Sequence, residues 1–143
     1  MERATPRNGH APMQIPPAVA RWFEARGSPP RSHPLAPLEA ARSGAHAPLS
    51  SETGAGKTLA GFLPILADAA LAPPRPGLKA LYVSPLKALA ADIERNLTAP
   101  IAEMGLPLSV ESRTGDTSAE KKRRQRSAPP NILLTTPESL SLL

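Results

Sequence analysis

Within Ser51-Glu52-Thr53-Gly54-Ala55-Gly56-Lys57-Thr58, two glycines, a lysine and a hydroxyl residue are spaced as a phosphate cradle requires. Gly54 and Gly56 let the backbone turn tightly and present successive N–H groups to an anion. Lys57 and Thr58 then open a helix whose N-terminus carries partial positive charge. In that arrangement Thr53 to Thr58 hold the phosphates of a nucleotide: Lys57 reaches the β- and γ-phosphates and the Thr58 hydroxyl takes a magnesium ion. The strict pattern G-x-x-x-x-G-K-[ST] is incomplete, because Ser51 stands where the first glycine belongs. The plainer alternative is a glycine-containing turn before a helix; the intact Gly-Lys-Thr and its flanks favour the cradle.

Such a loop has to be delivered by a buried strand and followed by a helix. Ala45 to Ser50 is the expected strand, although Pro48 would remove a ladder hydrogen bond from its middle. The helix reads through Leu59, Phe62, Leu63, Leu66 and Ala70 to about Ala72, with Pro64 expected to kink it. Further along, Leu78 to Ser84 reads as a second strand, and Ser84-Pro85 as the cap and first-turn proline of a helix. That helix should bury Leu86, Leu89, Ala90, Ile93 and Leu97 and be closed by Pro100. Leu108 to Arg113 alternates like a peripheral third strand, and Thr117 with Glu120 reads as a capping box for a polar helix ending near Arg126. Asn131 to Thr135 is a fourth strand, and Thr136-Pro137-Glu138 has the cap, proline and acid of a helix start.

Upstream, residues 1–17 are rich in proline and polar side chains and are expected to be a disordered leader, leaving 18–143 as one unit. A short helix is expected over Ala18 to Arg26, with Val19, Trp22 and Phe23 as core anchors and Gly27 as its stop. A second one is expected over Leu35 to Ser43. Seventeen Lys and Arg against twelve Asp and Glu give +5, which draws the chain toward polyanions such as nucleic acid. Lys121, Lys122, Arg123, Arg124 and Arg126 are the most basic run, although such a run is by itself equally a solvated helix face. No cysteine is present, which excludes a disulfide framework and thiolate metal sites. Without a secretory h-region or about 18 uninterrupted apolar residues, no membrane association is expected and the location reads as cytoplasmic.

Strands alternating with helices predict an α/β fold, a mostly parallel sheet with helices on both faces. Ligands of such sheets sit at the carboxyl ends of the strands. The phosphate loop, Ser84 to Lys87, Arg113 to Asp116 and Thr136 to Glu138 all fall there in sequence and are expected to share one edge.

As an ordered set, SETGAGKTLAGFLPIL, LYVSPLKALAADIERNL and ESRTGDTSAEKKRRQRSAPPNILLTTPESLSLL resemble the first RecA-like domain of superfamily 2 DEXH-box DNA helicases. Within these they are most similar to the large helicase-related (Lhr) group, and above all to its ligase-associated DNA damage response branch. The resemblance runs over nearly everything after Pro16. It implies a P-loop NTPase in which Gly54, Gly56, Lys57 and Thr58 form motif I and hold ATP and magnesium. Ser84, Pro85, Leu86 and Lys87 match motif Ia, and Thr136, Pro137 and Glu138 match motif Ib, both of which in such enzymes hold the backbone of one nucleic-acid strand. Arg113, Thr114, Gly115 and Asp116 match the intervening segment, which faces the same strand. Capping alone also accounts for Ser84, Thr117 and Thr136. DNA as partner, a role in DNA repair, association with a repair ligase and a nucleoid location are further implications of the resemblance.

The chain departs from the family pattern in three places. Pro34 stands where the family carries a glutamine that reads adenine, Ser51-Glu52 replaces Ala-Pro, and no DEXH motif follows Leu143 in this sequence. The expectation is a truncated N-terminal part of an ATP-dependent helicase, with negligible ATP hydrolysis by itself. Two other readings compete. One is a non-catalytic nucleic-acid-binding fragment that works through 121–126, and the other a small nucleotide kinase, which would need a lid with catalytic arginines rather than SPLKAL and TPESL.

Overall fold

The structure, a computed structural model, describes residues 15–27, 40, 43–44, 46 and 54–143, the side chains of 54–58 excepted. The leader expected over 1–17, apart from its last three residues, lies outside that description. So do nearly all of the helix expected over 35–43 and of the strand expected over 45–50.

Three strands form one parallel sheet among the described residues: β1 (Ala80–Val83), β2 (Val110–Arg113) and β3 (Ile132–Thr135), in the order β1-β3-β2. Each four-residue strand is one pass of a crossover, and helices fill the connections, as parallel pairing demands. The helices are α1 (Pro17–Ala25), α2 (Gly54–Leu71), α3 (Lys87–Glu103), α4 (Ala119–Ser127) and α5 (Pro137–Leu140).

Because side chains alternate along a strand, the register sorts the sheet into two faces. Ala80, Tyr82, Val110, Ile132 and Leu134 face a core completed by Phe62 and Leu66 of α2 and by Ala90, Ile93, Leu97 and Ile101 of α3. Leu133, Thr135, Glu111 and Arg113 lie on the opposite face, where α4 is bonded to β2. The sheet therefore carries helices on both sides. Where the strands enter, Asn131 ties all three together. Its Oδ1 accepts from the Ser109 N–H at 3.0 Å, its Nδ2 donates to the Gly77 carbonyl at 3.2 Å, and its own carbonyl accepts from the Ala80 N–H at 3.0 Å.

Several boundaries differ from expectation. Pro100 does not end α3 but lies inside it, in the last turn before Glu103, with Met104 as C-cap. Its ring is buried in the helix's own inward face, so packing outweighs the lost hydrogen bond. At the other end α3 starts at Lys87, and its N-cap, Leu86, makes no side-chain bond; Ser84-Pro85 belongs to the loop. Leu86 and Leu89 are exposed rather than buried, because the inward stripe begins only at Ala90. For α4 the cap is Ser118, whose Oγ accepts from the Lys121 N–H at 3.2 Å. Thr117 instead accepts from the Thr114 N–H at 2.9 Å and stabilises the turn. In α1 only Val19 is fully buried, while Trp22 and Phe23 are half-buried, edge to face at 5.2 Å. Trp22 donates to Glu103 at 2.6 Å and is covered by the Arg26 guanidinium, which pins α1 to the end of α3. Gly27 closes α1 at φ 65°, the left-handed conformation that a glycine takes without strain.

Candidate nucleotide and strand-binding edge

All three strands end level. Val83 pairs with Thr135 and Thr135 with Arg113, so the segments that follow, Ser84 to Lys87, Thr136 to Glu138 and Thr114 to Asp116, emerge side by side at one edge. The central strand puts the Thr136 segment between the other two.

The edge is built by hydrogen bonds that its sequence makes locally available. The Ser84 N–H donates to the Thr135 carbonyl at 2.9 Å and the Ser84 Oγ accepts from the Leu86 N–H at 3.3 Å, so the buried serine shapes the turn into α3. Thr136, also buried, caps α5 by accepting from the Ser139 N–H at 3.4 Å, and Pro137 fills the first helical position as expected. The Thr114 to Thr117 turn closes on itself: Asp116 N–H donates to Thr114 Oγ1 at 3.3 Å and Thr117 N–H to the Thr114 carbonyl at 3.2 Å. Lys122 Nζ adds a bond to the Gly115 carbonyl at 3.2 Å.

The named residues thus divide. Pro85, Leu86, Lys87, Gly115, Asp116, Pro137 and Glu138 are exposed at the edge. Ser84, Thr136 and Arg113 are buried beneath it. Arg113, only 2% exposed, turns under α4 and donates to the Lys122 carbonyl at 2.9 Å. Burial, and then the neighbouring Arg126 charge, lower its pKa. Lys87 Nζ reaches across the tip of β3 to Asp116, 3.3 Å from Oδ1 and 3.4 Å from Oδ2.

The basic run of α4 is largely engaged within the fold. Arg124 bonds both oxygens of Glu111, at 3.0 and 2.9 Å, Arg126 donates to the Leu142 carbonyl at 3.4 Å, and Lys122 holds Gly115. Burial alone would raise the Glu111 carboxyl, but the hydrogen bonds of Arg124 and Gln125, with the charges of Arg124 and Lys121, hold it below the usual carboxylate range. Asn131, Gln125 and Glu111 escaped sequence reasoning, because polar residues inside β-prone or charged runs give no periodic signal.

Gly54, Ala55, Gly56, Lys57 and Thr58 form the first turns of α2, which is described as helical from Gly54, earlier than the Lys57 start expected. Phe62 packs 6.1 Å from Tyr82, while Asp68, Ala69 and Ala72 share a cleft with Lys79 and Ala80. Hence α2 runs antiparallel to β1 and aims its N-terminus toward the edge where the strands end. Its first turn carries no acidic residue, so an anion there would meet helix N–H groups and no opposing carboxylate within the helix. Pro64 lies inside α2, as expected. No helix among the described residues is long and apolar enough to cross a membrane.

Comparison with known proteins agrees with this geometry. The chain is 40% identical over 150 residues to the Lhr helicase/probable uracil glycosylase of Mycolicibacterium smegmatis, an alignment covering 95% of this chain and 10% of that protein. It is 40% identical over 139 residues to the ATP-dependent helicase Lhr-Core of Sulfolobus acidocaldarius, covering 88% of this chain and 16% of that one. Among solved structures, M. smegmatis Lhr bound to ssDNA and AMP-PNP superposes with a TM-score of 0.74 at 38% identity, over 88% of this chain and 17% of that one. The helicase MrfA bound to DNA and AMPPNP gives 0.76 at 30% identity, over 91% and 18%. The chain therefore spans a small fraction of the length of each relative. The DEAD/DEAH box helicase profile matches residues 35–143, most of the sequence, and the chain accordingly belongs to the DEAD/DEAH box helicase family, with the Lhr helicases among its relatives.

Proposed function

We propose that this chain is the N-terminal part of the first RecA-like domain of an ATP-dependent DNA helicase. In this reading Thr53 to Thr58 hold the triphosphate and magnesium, and the exposed residues of the neighbouring edge hold one nucleic-acid strand by its backbone. Bound ATP with magnesium supplies the hydrolysis that drives such enzymes. Lys57 would bind the phosphates, Thr58 the metal, and the α2 amides would orient both. Lys87, Pro85, Leu86, Gly115, Pro137 and Glu138 would follow the strand, with Ser84, Thr114 and Thr136 shaping the turns under it. Arg113 is assigned a supporting part, since its guanidinium is turned inward. A place in DNA repair, contact with a repair ligase and a nucleoid location belong to the same proposal.

The observation carrying this reading is the level ending of Val83, Arg113 and Thr135, which gathers three helix-opening turns at one edge. Backbone amides and capped turns grip phosphates without reading bases, so binding should be sequence-independent and salt-sensitive. The test is titration of the chain with a fluorescent ATP analogue and, separately, with a labelled oligo(dT). Lys57→Ala should abolish nucleotide binding while sparing oligo(dT), and Lys87→Ala should weaken oligo(dT) binding measurably while sparing the nucleotide. A wild-type chain that is folded and binds neither ligand refutes the proposal.

A further inference from the structure

The proposed strand-binding edge already contains an anion. Lys87, the first residue of α3 and its exposed cation at this edge, faces both oxygens of Asp116 across the tip of β3. Both side chains are well exposed, at 58% and 80%, and a pair formed by two freely rotating side chains in water would have little significance. Asp116 is not freely placed, however. The turn that carries it is closed by the Thr114 and Thr117 hydroxyls and by Lys122 on the Gly115 carbonyl, so its backbone is set before any ligand arrives.

We propose that Asp116 is an affinity-setting residue: a built-in counter-anion that occupies the Lys87 ammonium and must be displaced by a strand phosphate. The inference rests on the strand-binding reading above and adds regulation to it. A phosphate arriving at Lys87 exchanges one anion for another, which lowers the net gain from that contact and hastens release. A protein that must let go of a strand repeatedly benefits from such a weakened grip. Gly115 lies beside the pair, and a Cβ there would meet Lys87 Nζ at 3.6 Å, an ordinary contact.

The test is anisotropy titration of the whole chain with fluorescein-labelled oligo(dT) at low and moderate salt. Asp116→Asn, which keeps size and removes charge, should bind about two- to fivefold tighter, the range expected for releasing one exposed pair. The gain should vanish in the Lys87→Ala background and shrink as salt rises. Glu120→Gln, which changes net charge equally from the first turn of α4, should give a smaller gain than Asp116→Asn. Unchanged or weaker binding by Asp116→Asn overturns the inference, as does an equal gain without Lys87 or with Glu120→Gln. If wild type and Asp116→Asn, both shown folded by circular dichroism, ignore oligo(dT), the strand-binding reading itself fails and the inference falls with it.

Discussion

Arg113 is the largest side chain wholly enclosed in the described fold, and its guanidinium is met by a backbone carbonyl rather than a carboxylate. Burying a cation is costly unless its donors are bonded. Here it holds the first turns of α4 against β2. Truncation by Arg113→Ala leaves a cavity and removes the bond to the Lys122 carbonyl, so the chain should lose about 2–4 kcal/mol in urea unfolding. A surface contact residue would instead alter strand binding and leave stability alone. Glu111 gives a second residue-scale prediction. Its folded pKa is depressed, so its stabilising contribution is complete above the ordinary carboxylate range and disappears as pH falls through the folded value. Thermal unfolding followed from neutral to acid pH should show a decline that is shallower in Glu111→Gln. At this scale the sequence disclosed residue types but not their direction: Arg113 sits in a run that matches a strand-facing segment, and only the pleat and the α4 crossover turn it inward.

Elements were legible where a chemical stop or start coincided with periodicity. Thr136-Pro137 supplies both a cap and a preset φ, and α5 begins there. At the start of α4 two hydroxyls compete, and Ser118 wins because Thr117 is already taken by the Thr114 N–H. Ser118→Ala should therefore destabilise the chain by about 1 kcal/mol, while Thr117→Ala should act on the turn and leave α4 helicity intact, as peptide hydrogen exchange would resolve. The end of α3 was misread for a different reason. Proline costs a hydrogen bond inside a helix, but the buried face of α3 runs on through Ile101, and that burial keeps Pro100 helical.

For the whole molecule, alternation of β-prone and helical segments specified a parallel sheet flanked by helices, and the register places the strand ends as such topologies require. Strand order was only partly legible: the alternating, polar β2 reads as peripheral and lies at an edge of the described sheet, whereas nothing in the two apolar strands says that β3 rather than β1 takes the middle. Coverage of the faces was equally hidden. On the second face of β1, Leu81 and Val83 are 44% and 42% exposed among the described residues, which a β-prone run alone does not announce. Leu81→Thr with Val83→Thr should accordingly shift stability by less than about 1 kcal/mol, whereas Leu134→Ala should cost about 2–5 kcal/mol, a contrast measurable by urea titration.

That β3 lies between β1 and β2 has a consequence for the order in which the protein takes shape. During synthesis β1 and β2 leave the ribosome before β3, yet among the described strands neither pairs with the other; each waits for the strand that lies between them. Until Thr135 emerges, β1 and β2 lack the partner that each has in the described sheet, and edges left unpaired in this way are prone to sticking to other chains. A polypeptide stopped at Pro130 should consequently show less sheet by circular dichroism than the chain carried through Thr135 and should aggregate, while restoring those residues should rescue both pairings at once.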